Sequence, residues 1–133
     1  MIVRDYLDSD LDMVNKILEE AFSINKKKIS GDNFHEIVCE KDGVVCGYLL
    51  LTKILNPIKD KYYYLIDYVC VLSNYRGLGI GEEMIKYAEE IARSDNAIYL
   101  QLTCSYYRVA AHRLYEKCGF IKRESDIYRK VLE

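Results

Sequence analysis

The 133-residue chain contains no apolar stretch near the ~20 residues that a membrane-spanning helix requires. Its opening residues, Met1-Ile2-Val3-Arg4-Asp5, lack a signal-peptide pattern, so the cytoplasm is the expected location. The five cysteines, Cys39, Cys46, Cys70, Cys104 and Cys118, form no C-x-x-C pair and no zinc-type spacing. No metal is therefore expected, and the thiols read as small core residues, with a reactive thiol as the alternative. Nor is there an excess of charge of one sign. With 19 basic and 21 acidic side chains the net charge is −2, which leaves no basic stripe for nucleic acid and suggests no membrane partner. Internal repeats and low-complexity segments are absent too. What remains is a chain that is 50% hydrophobic, long enough for one core and read as a single domain over residues 1–133.

Periodicity along the chain predicts alternating strands and helices. Ile2 to Tyr6 reads as a short strand. Asp8, Ser9 and Asp10 offer N-caps to a helix carrying Leu11, Val14, Ile17, Leu18, Ala21 and Phe22 on one face. Lys26-Lys27-Lys28 breaks that pattern and is expected as a solvated loop or short helix; a basic patch beside an anionic-ligand site is the alternative. His35 to Glu40 and Val44 to Ile54 flank Lys41-Asp42-Gly43, a hairpin signal. Tyr62 to Leu72 is the next strand. A second helix presents Ile80, Met84, Ile85, Ala88, Ile91 and Ala92, and Ile98 to Cys104 is a further strand. A helix from about Tyr107 to Lys117 ends at Gly119, and a hairpin of Phe120 to Lys122 with Ile127 to Leu132 is expected to complete the sheet.

Between a strand and a helix stands Tyr75-Arg76-Gly77-Leu78-Gly79-Ile80-Gly81. Glycines without Cβ let backbone N–H groups crowd around a phosphate, and the helix start adds free donors and a positive dipole end. The dinucleotide fingerprint needs G-x-G-x-x-G with an acid about 20 residues on, but the glycines here run G-x-G-x-G and no acid lies in Ala97 to Gln101. A P-loop needs Gly-Lys followed by Ser or Thr, and none is present. A plain tight connection with no ligand is the remaining structural alternative.

Through Arg76-Gly77-x-Gly79-x-Gly81 the segment resembles the coenzyme A pyrophosphate loop of the GNAT superfamily of acyl-CoA N-acyltransferases. About thirty residues downstream, Ala111-His112-Arg113-Leu114-Tyr115-Glu116-Lys117-Cys118-Gly119-Phe120 resembles that superfamily's A-x-x-[LF]-Y-E-x-x-G-F segment. The resemblance implies an α/β (α+β) GNAT fold: a mixed, mostly antiparallel central sheet of six or seven strands flanked by about four helices. It also implies an acetyl-CoA-dependent N-acetyltransferase acting on the primary amine of a small molecule or peptide.

On that resemblance, Val69, Cys70 and Val71 would offer backbone groups to the pantetheine arm and the oxyanion. Arg76, Gly77, Leu78, Gly79, Ile80 and Gly81 would hold the pyrophosphate, and Arg108 stands where many members place a coenzyme-contacting asparagine. Arg108 reads either as a phosphate contact or as a helix-surface residue. Tyr115 is the candidate acid for the departing thiolate, against a core tyrosine beside Ala111 and Leu114. Asp67 is the candidate base acting through water, against a hydrogen-bonded strand residue. Thr103 falls where N-terminal acetylases of the family carry a glutamate. That departure motivates the alternative of a non-catalytic acyl-CoA-binding sensor. Cys70 has no histidine partner, so direct transfer is expected over an acyl-enzyme. His112 reads as surface or substrate rim, and His35 as structural. The apolar C-terminal strands would allow a homodimer.

Overall fold

The computed structural model describes residues 1–133. Its elements are β1 (Ile2–Asp5), α1 (Leu11–Phe22), β2 (Phe34–Lys41), β3 (Val44–Asn56), β4 (Lys61–Val71), α2 (Ile80–Ser94), β5 (Leu100–Leu102) and α3 (Val109–Lys117). The strands form one sheet in the order β1-β2-β3-β4-β5, antiparallel until β5, which runs parallel to β4. This is the expected mixed, mostly antiparallel architecture, with five strands and three helices in place of six or seven and about four. No helix is long and apolar enough to cross a membrane.

Helices cover both faces, and each stripe read from the sequence finds a core. Val14, Ile17 and Leu18 of α1 pack on Val38, Tyr48 and Cys70. On the other face Ile80, Met84, Ile85, Ala88 and Ala92 of α2 pack on Ile37, Leu49, Leu51, Tyr64 and Ile66. Each large side chain so buried contributes about 1.5–3 kcal/mol. The β2–β3 hairpin turns through Asp42 and Gly43, both at positive φ (52° and 77°), the geometry that the Asp-Gly signal implies.

Two expectations are corrected. Lys26 is not solvated: its Nζ lies 3.0 Å from Glu36 and 4.5 Å from the centre of the Tyr6 ring, with only 9% of its side chain exposed. Asn15 holds its backbone from both sides, so the segment after α1 is pinned with no short helix. A run of three lysines looks uniformly polar, and only the carboxylate brought by β2 singles out the first. The C-terminal hairpin is also absent, since no residue from Phe120 onward lies in a strand. Alternating apolar residues mark a segment suited to a sheet, but a strand exists only where the segment pairs with a neighbouring edge, and this one pairs with none.

The Asp10 carboxylate caps the short 3-10 turn Asp8–Asp10 rather than α1 itself. It accepts two hydrogen bonds from Arg4 at 2.8 and 3.0 Å and one from the Leu7 amide, joining β1 to the start of α1.

At Gly47 a Cβ would stand 2.9 Å from Ile80 Cγ2 and 3.0 Å from Met84, so the absence of a side chain sets how closely α2 approaches the sheet. Gly47→Val is expected to cost about 1–3 kcal/mol through overpacking, read as a lower denaturation midpoint in urea.

Candidate active site

β4 joins β5 through only three registered pairs, Tyr64↔Leu100, Leu65↔Gln101 and Ile66↔Leu102. Immediately beyond, β4 bulges. Leu50 faces Asp67 and Tyr48 faces Cys70, so Tyr68 and Val69 together stand opposite Leu49, and Tyr68 takes φ +58°. A bulky residue in the left-handed region costs about 1–2 kcal/mol, and the bulge turns the strand away from its neighbour. From Asp67 to Val71 the β5-facing side of β4 has no strand beside it. Val69 and Val71 pack toward α2 and Cys70 toward α1, which leaves their backbone groups along this gap.

The glycine loop follows directly. Gly77 and Gly79 have φ of +78° and +81°, and nothing lies within 4 Å of where either Cβ would be. None of the amides from Gly77 to Glu82 finds a backbone acceptor, and Gly79 caps α2 without a side-chain cap. Open space, left-handed glycines and free donors at a helix start are what an anion cradle requires. Glu82 and Glu83 in the first turn of α2 oppose an anion, but Lys117 approaches Glu82 to 3.0 Å, and Lys86 reaches Glu82 at 3.7 Å and Glu83 at 3.6 Å.

The remaining loop residues divide between holding the turn and facing outward. Gly81 answers a packing demand, since a Cβ there would meet Leu114 of α3 at 3.1 Å. Ile80 is buried in the core, and Leu78 is half-exposed. Arg76 donates from Nε to the Val71 carbonyl at 3.1 Å and approaches Glu20 at 3.8 Å. Glu20 also accepts from the Ser73 amide at 2.7 Å, so α1 fastens the entry of the loop.

Three side chains around the gap carry perturbed protonation. Burial pushes the Tyr115 phenol up to about 12; the nearby Cys104, Cys118 and Cys70 add to this and Arg108 opposes it. Tyr115 packs against the same core cluster as Val69 and Val71, and its ring meets Phe120 edge-on at 6.1 Å. Burial also raises Asp67 above the usual carboxylate range, with no cation or hydrogen-bond donor offsetting it. Its cross-strand partner Leu50 packs toward α1, as does Tyr48 opposite Cys70, so Asp67 and Cys70 share that side of the sheet. Cys70 itself is pushed up to about 12 by burial and its Sγ lies 3.2 Å from the Tyr68 carbonyl, a protonated core thiol.

The sequence did not reveal an aromatic stack on the same side. The Arg108 guanidinium lies 5.0 Å from the centre of the Phe22 ring, which meets Tyr68 edge-on at 5.6 Å. Arg108 thus spans from α3 to the end of α1. Nothing in the local pattern marks Phe22 or Tyr68, because the stack depends on the bulge. His112 bonds the Ser105 carbonyl at 2.9 Å, bracing the turn before α3. His35 sits 6.3 Å from the Tyr64 ring, a structural position.

Because the folded-state pKa of Asp67 is raised, its favourable share of stability is present below the ordinary carboxylate pKa. It is lost as pH rises through the raised value. Asp67→Asn is therefore expected to raise Tm at pH 7, by a margin that shrinks as the pH is lowered and Asp67 protonates, measured by thermal melts across pH.

Comparison with known proteins agrees with this geometry. A family model described as the acetyltransferase (GNAT) family matches residues 4–120. The chain is 26% identical over 124 residues, 88% of its length and 78% of the relative's, to a putative ribosomal protein bS18-alanine N-acetyltransferase of Bacillus subtilis (strain 168). Among solved structures, a putative acetyltransferase from Agrobacterium tumefaciens str. C58 superposes with a TM-score of 0.85 at 19% identity, covering 98% of this chain and 100% of that one. A transcriptional regulator from Bacillus halodurans C-125 gives 0.84 at 22% identity, covering 98% and 99%. Both superpositions show a shared fold. With the profile spanning nearly the whole chain and the cradle, gap and Tyr115 segment in place, this protein belongs to the GNAT acetyltransferase family.

Proposed function

We propose that this chain transfers an acetyl group from acetyl-CoA to the primary amine of a small molecule or peptide by direct attack. The observation that carries the reading is the adjacency of the free-amide glycine loop and the gap beyond Ile66↔Leu102, with Tyr115 packed on the same core cluster as Val69 and Val71. The loop amides from Gly77 to Glu82 would hold the pyrophosphate, and the strand-free edge of Val69 to Val71, whose Val71 carbonyl Arg76 already engages, would take the pantetheine arm. The coenzyme would supply the thioester-activated acetyl group.

The other steps fall to side chains. An amine with a pKa of about 10.4 arrives protonated and must lose a proton before it attacks. Asp67, raised by burial and without a partner, is suited to take it through water. Backbone N–H groups along the β4 edge would stabilise the negative oxygen as it develops. Tyr115 meets the departing sulfur. A phenol near 12 facing a thiol of about 8.5 makes complete proton transfer uphill by roughly 3.5 pKa units, or ~5 kcal/mol. Tyr115 therefore acts chiefly as a hydrogen-bond donor that steadies the thiolate until solvent protonates it. Cys70, kept protonated, is a wall of the site.

The acceptor is the open part of this reading. The Bacillus subtilis relative's name directs the first assay to a peptide beginning with alanine, although Thr103 stands where N-terminal acetylases carry glutamate. Thr103 also favours the second reading, a sensor that binds acyl-CoA without turning it over. Steady thiol release with any one amine excludes that reading.

Calorimetry with acetyl-CoA and CoA is the deciding measurement, and absence of binding to both at millimolar ligand sinks the proposal. Gly79→Val, forcing a β-branched residue to φ +81°, is expected to abolish binding. Tyr115→Phe should bind the coenzyme normally and lose about 10²-fold in kcat, the usual loss for one donor to a developing charge.

A further inference from the structure

Arg108 begins α3, whose Leu114 and Tyr115 pack on the α2 face of the sheet, yet its guanidinium stands over the ring of Phe22, 5.0 Å from its centre, in the core on the α1 face. The side chain therefore reaches from one face to the other. It does so beside the bulge of β4, because Phe22 also meets Tyr68 edge-on at 5.6 Å. Tyr68 is 46% exposed, so this stack is open to an incoming molecule.

The cation held there has no anion. No ion pair of the molecule includes Arg108, and the first turn of α3 carries no acidic residue. Its neighbour Tyr107, lowered by Ser105 and by Arg108, is a phenol and leaves the positive charge uncompensated. Other cations around α1 are committed: Arg76 to Glu20, Lys26 to Glu36 and Lys28 to Asp8. A guanidinium laid on an aromatic face is already oriented, and its fork of N–H donors matches a carboxylate.

The candidate base lies on the same face. Asp67 and Cys70 share the α1 side, whereas the glycine loop opens α2, which packs on the other. Cradle and stack thus approach the gap from opposite faces, and the α1 face is left to the acceptor.

We infer that Arg108, seated on Phe22, binds a carboxylate of the acceptor, so that the substrate is an amine that also carries a carboxylate. The inference rests on the acetyl-transfer reading and adds the acceptor class to it. The amine nitrogen would form the new C–N bond as the thioester C–S bond breaks and coenzyme A leaves as the thiolate. Its proton would pass through water to Asp67, and the carboxylate on Arg108 would stay unreacted. Arg108 is then a specificity residue for the acceptor and not a contact to a coenzyme phosphate.

Thiol release with amine pairs that differ only in a carboxylate tests this: glycine and methylamine, β-alanine and ethylamine, L-ornithine and putrescine, L-lysine and cadaverine. At least one carboxylated member is expected to exceed its partner about 10- to 100-fold in kcat/KM, the range of one charge-assisted pair. In Arg108→Gln that preference should disappear through a higher KM at similar kcat, while calorimetry returns the parent's Kd for acetyl-CoA. Arg108→Lys should keep part of the preference, and Phe22→Leu, which removes the stack but not the charge, should lose part of it. Equal or better turnover of every carboxylate-free amine overturns the inference, as does a chain that binds acetyl-CoA and turns over no carboxylated amine. A weaker acetyl-CoA Kd in Arg108→Gln with the preference intact overturns it too and assigns Arg108 to the coenzyme. A parent chain that binds neither acetyl-CoA nor CoA fails the transfer reading itself, and the acceptor assignment falls with it.

Discussion

The ladder between β4 and β5 stops at Ile66 opposite Leu102, and the bulge that follows carries β4 out of reach of its neighbour. Had β4 stayed regular, its backbone groups would pair along the sheet, as they do with β3, and no gap would open. The strain at Tyr68 thus coincides with the point where the ladder from β4 to β5 ends. Just past β4 the chain enters the glycine loop, where Glu20 and the Val71 carbonyl hold Ser73 and Arg76. Loop and gap lie side by side because the chain runs from the bulged end of β4 into the loop within a few residues.

Charge is treated differently here from elsewhere in the molecule. Arg4 is satisfied by Asp10 and Glu40, Lys26 and Tyr48 share Glu36, and Lys53 and Tyr64 share Asp95. Each set neutralises half-buried groups and fastens separate segments. Asp67 has no such partner, and burial alone shifts it. A carboxyl left uncompensated beside a strained backbone weakens the fold, and under the proposed function it is the group that takes the amine's proton.

Much of the fold could be read in advance because its signals are local. The stripes of α1 and α2, the Asp42-Gly43 turn and the left-handed Gly79 and Gly119 each follow from a few neighbouring residues. The candidate site was legible in part, through two short segments whose spacing places the cradle and Tyr115. Lys26, the Tyr68 bulge and the Phe22–Arg108 stack were not legible, since each depends on a partner distant in sequence. The C-terminal segment shows the opposite failure. Its pattern suits a strand, yet no residue from Phe120 onward lies in one.

By itself the sequence determined the order of elements, the faces that helices bury, and a loop whose glycines must adopt positive φ, all consequences of short-range sterics and periodicity. Only the tertiary structure decided which strand pairs would end early, which carboxyl would be left without a cation and which lysine would find one. Those outcomes depend on cross-strand register and on burial, and both exist only once residues far apart in the chain have packed together.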